Sequence, residues 1–437
     1  MCSIAGAPSF EEVKEMLACM KHRAPDESGI SFDGEYAIGM GRLKIIDLLS
    51  KGLAPIELDD LTLTFNGEVY NYIELREELK ALGHVFKTQG DSEVLIHAYQ
   101  AWGPESLQKL NWMGAFAIRS REGIFIARDL AGEKPLYYQE KPFRFASEAK
   151  ALGFNCTELP RGHYAFFNSS LEIVQWWNFR PVPISKDPVS QLDHLLEDSV
   201  RLRTRAHVPY GLYYSGGIDS TLISTYHSFT HQFTYTDGDF KEDFNAIFPK
   251  ILWHLDYPIK SFSAYGLWKL AEKASKEVKV VLSGEGADEL FGGYVRYIPN
   301  EFNRLARQQF PSYEALFPYK DMQDEEFNGN MQELLRMGDR MAAAWGIENR
   351  CPFLDRRIVE FAMSLPMEWK IKGFETKVIL RELIKRRKPD YQFEEKKGLY
   401  CSVNEWIGST DKFGKNDYLH YQEALWKKFS SPDRVVS

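Results

Sequence analysis

The pattern of apolar residues changes character once along the chain, and that change constrains the fold more than any single motif. Before residue 153, the runs YAIGMGRLKIID (36–47), LTLTFNGEVY (61–70), GAFAIRSR (114–121), GIFIARD (123–129) and FRFAS (143–147) alternate apolar and polar positions between polar or Gly turns. That alternation predicts strands, and with the helical runs between them it predicts a layered α+β domain. Beyond residue 190, HVPYGLYYSGG, HQFTYTD and EVKVVLSGEG are each followed by a helical segment. Strands alternating with helices predict an α/β domain with a parallel sheet, whose ligands sit at the carboxyl ends of the strands. The Pro, Gly and Trp punctuation of ELPRGHYAFFNSSLEIVQWWNFRPVPISKDP reads as a last hairpin followed by a linker. The boundary is expected between residues 175 and 190, giving domains over 2–180 and 190–437. A chain of 437 residues that is 44% hydrophobic can bury two cores of ordinary size.

Two helices in the first half carry start signals. SFEEVKEMLACMKH has the capping-box pair Ser9 and Glu12, and NYIELREELKALG has Asn71 as N-cap, Glu74 three residues on and Gly83 as stop. Residues 300–437 read as mainly helical. The net charge of −8, with no Lys/Arg block beyond the helix end IKRRKP, argues against nucleic acid as a partner. No apolar run approaches the roughly 20 residues that span a bilayer, and the N-terminus lacks the regions of a secretion signal. Cys2, Cys19, Cys156, Cys351 and Cys401 show neither disulfide nor zinc spacing. A cytoplasmic setting without a membrane partner is therefore expected.

Two regions carry chemistry. In MCSIAG, removal of Met1 would leave a thiol and an α-amine on Cys2, so that one residue supplies both nucleophile and base. The Asn66 side-chain amide and the Gly67 N–H, in NGEVYNY, are suited to a developing oxyanion. Arg42 is suited to a carboxylate, and Asp91 either to an ammonium group or to capping helix 92–102. In SGGIDS, a strand meets a helix through Ser215, Gly216 and Gly217, so backbone N–H groups converge where a phosphate can bind. The GK[ST] element of a Walker A loop is absent. Asp219 is either a magnesium ligand or a cap, and in SGEGADELFGGY Asp288 offers a second carboxylate while Glu285 offers a base. Lys396 and Lys397, in EEKKGL, are either pyrophosphate-facing charges or solvated surface lysines.

Taken together, MCSIAG, HRAPD, RLKIIDL, NGEVYNY, GDSEV, RDLAGEKPLYY and FASEAKAL resemble the glutaminase domain of the glutamine-hydrolysing asparagine synthetase family. SGGIDS, LSGEGADELFGGY, IENRCPFLD and EKKGL resemble its synthetase domain. The resemblance implies an N-terminal-nucleophile (Ntn) hydrolase-like αββα sandwich joined to an adenine nucleotide α-hydrolase-like domain. It implies that Cys2 attacks glutamine, that Asn66 and Gly67 form the oxyanion hole, and that Arg42, Asp91 and the backbone around Glu68 hold the α-groups. It further implies that Ser215, Gly216, Gly217, Asp219, Ser220, Ser283 and Gly284 bind ATP, with Asp219 and Asp288 on Mg²⁺. By the same resemblance, Glu285 is the base and Lys396 stabilises adenylation of aspartate. Ammonia would pass inside the protein, and pairing into a homodimer is common in such enzymes.

Three departures stand out. Ser3 and Ala24 replace family glycines and are expected to tighten the glutamine pocket. The stretch between Ser220 and Ser283 is short, as if a βα unit were missing after FTYTDGDFKEDFNAIF. Glu394 stands where an arginine is usual. These leave open two further readings: an amide-forming ligase acting on another carboxylate, and a weakened regulatory or binding homologue. Retention of Cys2 and Glu285 favours ammonia as the nucleophile.

Overall fold

The computed structural model describes residues 1–50, 54–235, 244–259, 261, 263–294, 297, 327–393, 420, 422–423 and 426. Its first half contains two six-stranded antiparallel sheets. The first sheet comprises β1 (Ser3–Ala7), β2 (Glu27–Phe32), β3 (Ala37–Arg42), β8 (Tyr137–Glu140), β9 (Phe143–Ala146) and β10 (Thr157–Glu158), in the order β10-β8-β9-β1-β3-β2. The second comprises β4 (Ile56–Leu58), β5 (Leu61–Val69), β6 (Trp112–Ser120), β7 (Gly123–Arg128), β11 (His163–Asn168) and β12 (Ser170–Gln175), in the order β12-β11-β7-β6-β5-β4.

Strand alternation sorts the side chains into layers. Ile4, Ile38 and Met40 pack against Ala115, Ala117 and Ile126 of the other sheet. Ala5, Ala7 and Ala37 point the other way, onto Val13, Met16 and Leu17 of α1 (Phe10–Cys19). The outer face of the second sheet takes Leu75 and Leu79 of α2 (Tyr72–Ala81), with Val94 and Leu95 of α3 (Asp91–Trp102). Each fully buried Val or Leu contributes about 1.5–3 kcal/mol, which fixes the register of both sheets. The order helix, sheet, sheet, helix is the expected αββα sandwich. A short α4 (Ser106–Lys109) precedes β6.

Local expectations met mixed outcomes. Ser9 caps α1, accepting from the Glu12 N–H at 3.5 Å. Asn71 makes no side-chain cap bond to α2. Its side chain instead donates to Lys109 O and accepts from the Asn111 N–H, both at 2.9 Å, so a tertiary loop outcompetes the local cap. The run at 36–47 leaves the sheet at Arg42, and Asp47 adopts φ +52°. Ser3 lies opposite Gly41, and a Cβ on Gly41 would sit 2.6 Å from Ser3 Oγ and 2.7 Å from Ala24 Cβ. Gly41 therefore makes the room that Ser3 and Ala24 occupy.

The second half is built on the parallel sheet β14-β13-β15-β16, formed by β13 (Tyr210–Tyr213), β14 (His231–Phe233), β15 (Val280–Leu282) and β16 (Glu348–Arg350). Its helices are α5 (Pro188–Arg203), α6 (Ile218–Tyr226), α7 (Phe244–Leu255), α8 (Ser263–Ser275), α9 (Ala287–Phe291), α10 (Asn330–Ala343), α11 (Arg356–Ser364) and α12 (Val378–Arg387). Among the described residues no strand lies between β14 and β15, in keeping with the short spacing after SGGIDS. β13 is flanked by β14 on one side and β15 on the other, so its carboxyl end is a topological switch point, where such sheets bind ligands.

The two halves share one continuous core, in which Trp112 and Trp176 belong to the same cluster as Leu196, Leu212 and Phe353. Buried ion pairs also cross between them: Arg350 to Glu68 at 2.8 Å, Arg23 to Asp339 at 2.9 Å and Arg340 to Glu148 at 2.7 Å.

Candidate active site

Two clusters form, one at the start of β1 and one at the carboxyl ends of β13 and β15. In the first, the Cys2 backbone N–H donates to Asn66 Oδ1 at 3.1 Å. Asn66 is completely buried, and its Nδ2 has no partner among the described residues. Because Oδ1 faces a donor, the amide orientation is fixed and Nδ2 is left as an available N–H donor beside Cys2. Gly67 pairs with Gly114 of β6, and a Cβ on it would lie 2.1 Å from Met113 O, so the close strand approach requires glycine there.

Burial pushes the Cys2 thiol up, opposed by the neighbouring terminal amine and by the Leu43 backbone N–H. A protonated thiol needs a base. The Met1 amine is pushed down to about 5, chiefly by burial, so it is neutral at pH 7.

The residues expected around a glutamine are near, with some groups already committed. Arg42 Nη2 donates to Ile46 O at 2.8 Å and Asp47 O at 2.9 Å, and Nη1 lies 3.5 Å from Glu27. Asp91 Oδ2 accepts from the Val69 N–H at 3.0 Å, which ties α3 to the end of β5. Gly90, with no side chain to offer, holds the N-cap position in its place. The Glu68 carboxylate is taken by Arg350, across the interface between the halves.

Arg23, in HRAPD, received no individual role from the sequence. It is fully buried, donates from Nε to Cys2 O at 3.0 Å, from Nη1 to Glu148 at 2.8 Å and from Nη2 to Asp339 at 3.1 Å. Its signal was a charged residue inside the HRAPD segment. Its partners lie far away in sequence and could not be read locally.

In the second cluster, Gly216 has φ +77°, a conformation that favours glycine. The Ser215 N–H donates to Ser220 Oγ at 3.2 Å, and Ser220 Oγ donates to Gly217 O at 3.2 Å, so Ser220 braces the turn from the first turn of α6. A Cβ on Gly284 would sit 2.7 Å from Asp219 Cβ, which brings the Ser283–Gly284 turn against the SGGIDS turn.

Asp219 and Asp288 converge on one cation. Lys377 Nζ lies 2.6 Å and 2.7 Å from the two Asp219 oxygens and 2.7 Å from Asp288 Oδ1. The paired carboxylates hold this ammonium firmly in its charged form, against its burial. A Cβ on Gly293 would overlap both Asp288 Oδ1 and Lys377 Cε, so the second glycine of FGGY leaves room for the cluster. Lys377 was missed because a lone lysine before a helix carries no local signal. Two carboxylates meeting at a single cation are a fitting donor set for magnesium, which takes few protein oxygens and leaves positions for phosphate and water. Lys396 and Lys397 lie outside the described residues.

Glu285 accepts from Asn349 Nδ2 at 3.0 Å and from the Cys351 thiol at 3.5 Å. Burial pushes its carboxyl up to about 7, against those two donors.

Comparison with known proteins agrees across the chain. A glutamine amidotransferase domain model matches residues 1–172, and an asparagine synthase model matches 191–236, 227–332 and 319–415. Asparagine synthetase [glutamine-hydrolyzing] 1 of Bacillus subtilis is 28% identical, covering 96% of this chain and 90% of that protein. That alignment runs over 567 positions against the 437 residues of this chain, which reflects stretches the relative has and this chain lacks. A probable asparagine synthetase of Schizosaccharomyces pombe is 31% identical over 83% of this chain and 74% of its own length. A putative asparagine synthetase of Methanocaldococcus jannaschii is 31% identical over 85% and 82%. The chain belongs to the glutamine-hydrolysing asparagine synthetase family.

Proposed function

We propose that the chain transfers the amide nitrogen of glutamine to aspartate at the expense of ATP, using residues 2–180 as glutaminase and 190–437 as synthetase. The observation that carries this reading is the adjacency of the two clusters across the interface between the halves. Arg23 holds the Cys2 carbonyl with one nitrogen and Asp339 with another, and Asp339 lines the same buried cavity as Glu285.

In the first step the Cys2 thiol gives its proton to its own α-amine, exposed by loss of Met1, and the sulfur attacks the glutamine amide carbon. Asn66 Nδ2 and the Gly67 N–H donate to the oxyanion, and Arg42 and Asp91 orient the α-carboxylate and α-ammonium. The protonated amine passes a proton to the leaving nitrogen, ammonia departs, and water hydrolyses the thioester to glutamate. At the second site the amides of Ser215–Gly217 and the N-terminus of α6, with Ser220, Ser283 and Gly284, cradle the ATP phosphates. Asp219 and Asp288 would hold Mg²⁺, which supplies charge neutralisation of the phosphates. The aspartate side chain becomes the β-aspartyl adenylate, Lys377 and Lys396 offset charge on the departing pyrophosphate, and Glu285 takes a proton as ammonia displaces AMP.

The test is stoichiometric. With glutamine, aspartate and Mg-ATP, glutamate, asparagine, AMP and pyrophosphate should form in equal amounts. Cys2→Ala should abolish the glutamine-driven reaction while keeping the ammonium-driven one. The shortened synthetase half keeps a second reading alive, amidation of a different carboxylate. AMP release only with another acceptor would select it, and no AMP with any acceptor would point to a binding homologue.

A further inference from the structure

β16 sends alternate side chains to two different places. Glu348 and Arg350 pair with each other at 2.8 Å, and Arg350 continues to Glu68 of the first half, also at 2.8 Å. Asn349 and Cys351 take the opposite face, since Cys351 continues the extended backbone with φ −112° and ψ 97°. The register then sets what that face meets. Asn349 lies beside Val281, and the Ser283 N–H donates to Arg350 O at 3.0 Å, so the face borders the turn after β15 that carries Glu285.

Both side chains reach the same carboxylate oxygen. Asn349 Nδ2 donates to Glu285 Oε2 at 3.0 Å and the Cys351 thiol donates to Oε2 at 3.5 Å, whereas no hydrogen bond among the described residues reaches Oε1. Burial and the carboxylates of Glu285 and Glu133 push the Cys351 thiol well up, so it keeps the proton it donates. Glu133 also lies within reach of that thiol, but burial pushes it up to about 8 against about 7 for Glu285, so near neutral pH Glu285 is the more charged and stronger acceptor. The seat is closed by α10: a Cβ on Gly338 would lie 2.7 Å from Oε1 and 2.9 Å from Oε2, so the helix backbone packs directly on the carboxylate. Glu289 of α9, Lys134 of the first half, Asp339 of α10 and Tyr213 of β13 face Glu285 as well.

We propose that Asn349 and Cys351 are positioning residues for Glu285: by holding Oε2 from one strand face, they leave Oε1 to take the proton from the attacking ammonia. The inference rests on the reaction proposed above, in which Glu285 is the base. The terminal torsion of a glutamate is broad, so an unheld carboxylate presents either oxygen, and two donors on one oxygen remove that freedom. Donors to the ionised form also favour it, which keeps the base unprotonated to lower pH.

Cys351→Val and Asn349→Leu remove the donors with little change of size, and Cys351→Ser keeps one. At a fixed concentration of free ammonia, the acid limb of the ammonia-driven rate should move to higher pH by roughly half to one unit in Cys351→Val and in Asn349→Leu, a loss of about three- to tenfold below the limb. Cys351→Ser should hold the limb within about 0.3 unit of the starting protein. A rate lowered equally at every pH, with the limb unmoved, would make the two residues structural and overturns the proposal, as does a Ser variant displaced as far as the Val variant. If the unmodified chain forms no AMP with any acceptor, or keeps its acid limb in Glu285→Gln, the assignment of Glu285 as base falls and this inference with it. A limb that Glu285→Gln abolishes but neither Cys351→Val nor Asn349→Leu moves refutes the positioning role alone.

Discussion

Asn66 permits a sharp test, because the two ends of its amide do different things. Oδ1 is occupied by the Cys2 N–H at 3.1 Å, whereas Nδ2 is buried and unpartnered among the described residues. An occupied acceptor contributes to the resting structure, about 0.5–1.5 kcal/mol for one hydrogen bond. A preorganised donor left unpaired at rest gains its partner only when negative charge develops, so its loss should appear in kcat. Removing one such donor elsewhere costs about 2.7–4 kcal/mol, a 10²–10³-fold loss. Asn66→Ala removes both roles, and Asn66→Asp keeps the acceptor for Cys2 while replacing the donor with an oxygen. Both should lower the glutaminase kcat by at least about 100-fold, with KM for glutamine changed less than about threefold, whereas the ammonium-driven reaction should be retained. Steady-state glutamate release and denaturant titration would separate catalysis from folding. If either variant keeps kcat within about tenfold and instead raises KM, Nδ2 binds the ground state and the oxyanion assignment is wrong.

Gly293→Ala would drive a Cβ into Asp288 Oδ1 and Lys377 Cε, so ATP–pyrophosphate exchange should fall more than about tenfold while glutaminase activity persists. Glu285, pushed up to about 7, is neutral below that value and cannot then accept a proton. At a fixed concentration of free ammonia, the rate of the ammonia-driven reaction should drop about tenfold per unit as pH falls below 7, and Glu285→Gln should leave a low rate without that acid limb. Arg340→Met would leave Glu148 and Asp256 without the guanidinium that reaches both at 2.7 Å. The loss should be about 3–5 kcal/mol in denaturant titration at neutral pH. Burial opposes but does not overcome the cations that hold Glu148 well below the ordinary carboxylate range, so the deficit should shrink only as pH falls far enough to protonate it in the unfolded chain.

How much of this was legible in the sequence depended on the range of the interaction that carries the signal. β5, β6 and β7 alternate because their two faces meet different layers, and Ser9 caps α1 through a bond spanning three residues. β1 escaped notice because SIAGA is buried on both faces and shows no polar alternation. Asn71 carried a correct local signal that a loop 40 residues away overrode.

Residue order alone carried the switch from antiparallel to parallel architecture, the strand–turn–helix at SGGIDS and the choice of Cys2 as candidate nucleophile. Each follows from periodicity, glycine freedom or the chemistry of one residue. Which charges meet was settled by packing alone. Arg23 and Asp339 stand 316 positions apart, Lys377 and Asp219 158, and Glu285 finds Asn349 across 64. A buried charge must find its partner wherever the fold delivers one, because leaving it unpaired costs several kcal/mol, and no local pattern encodes that meeting. The network of charges that joins the two candidate sites is therefore a property of the packed interface between the halves.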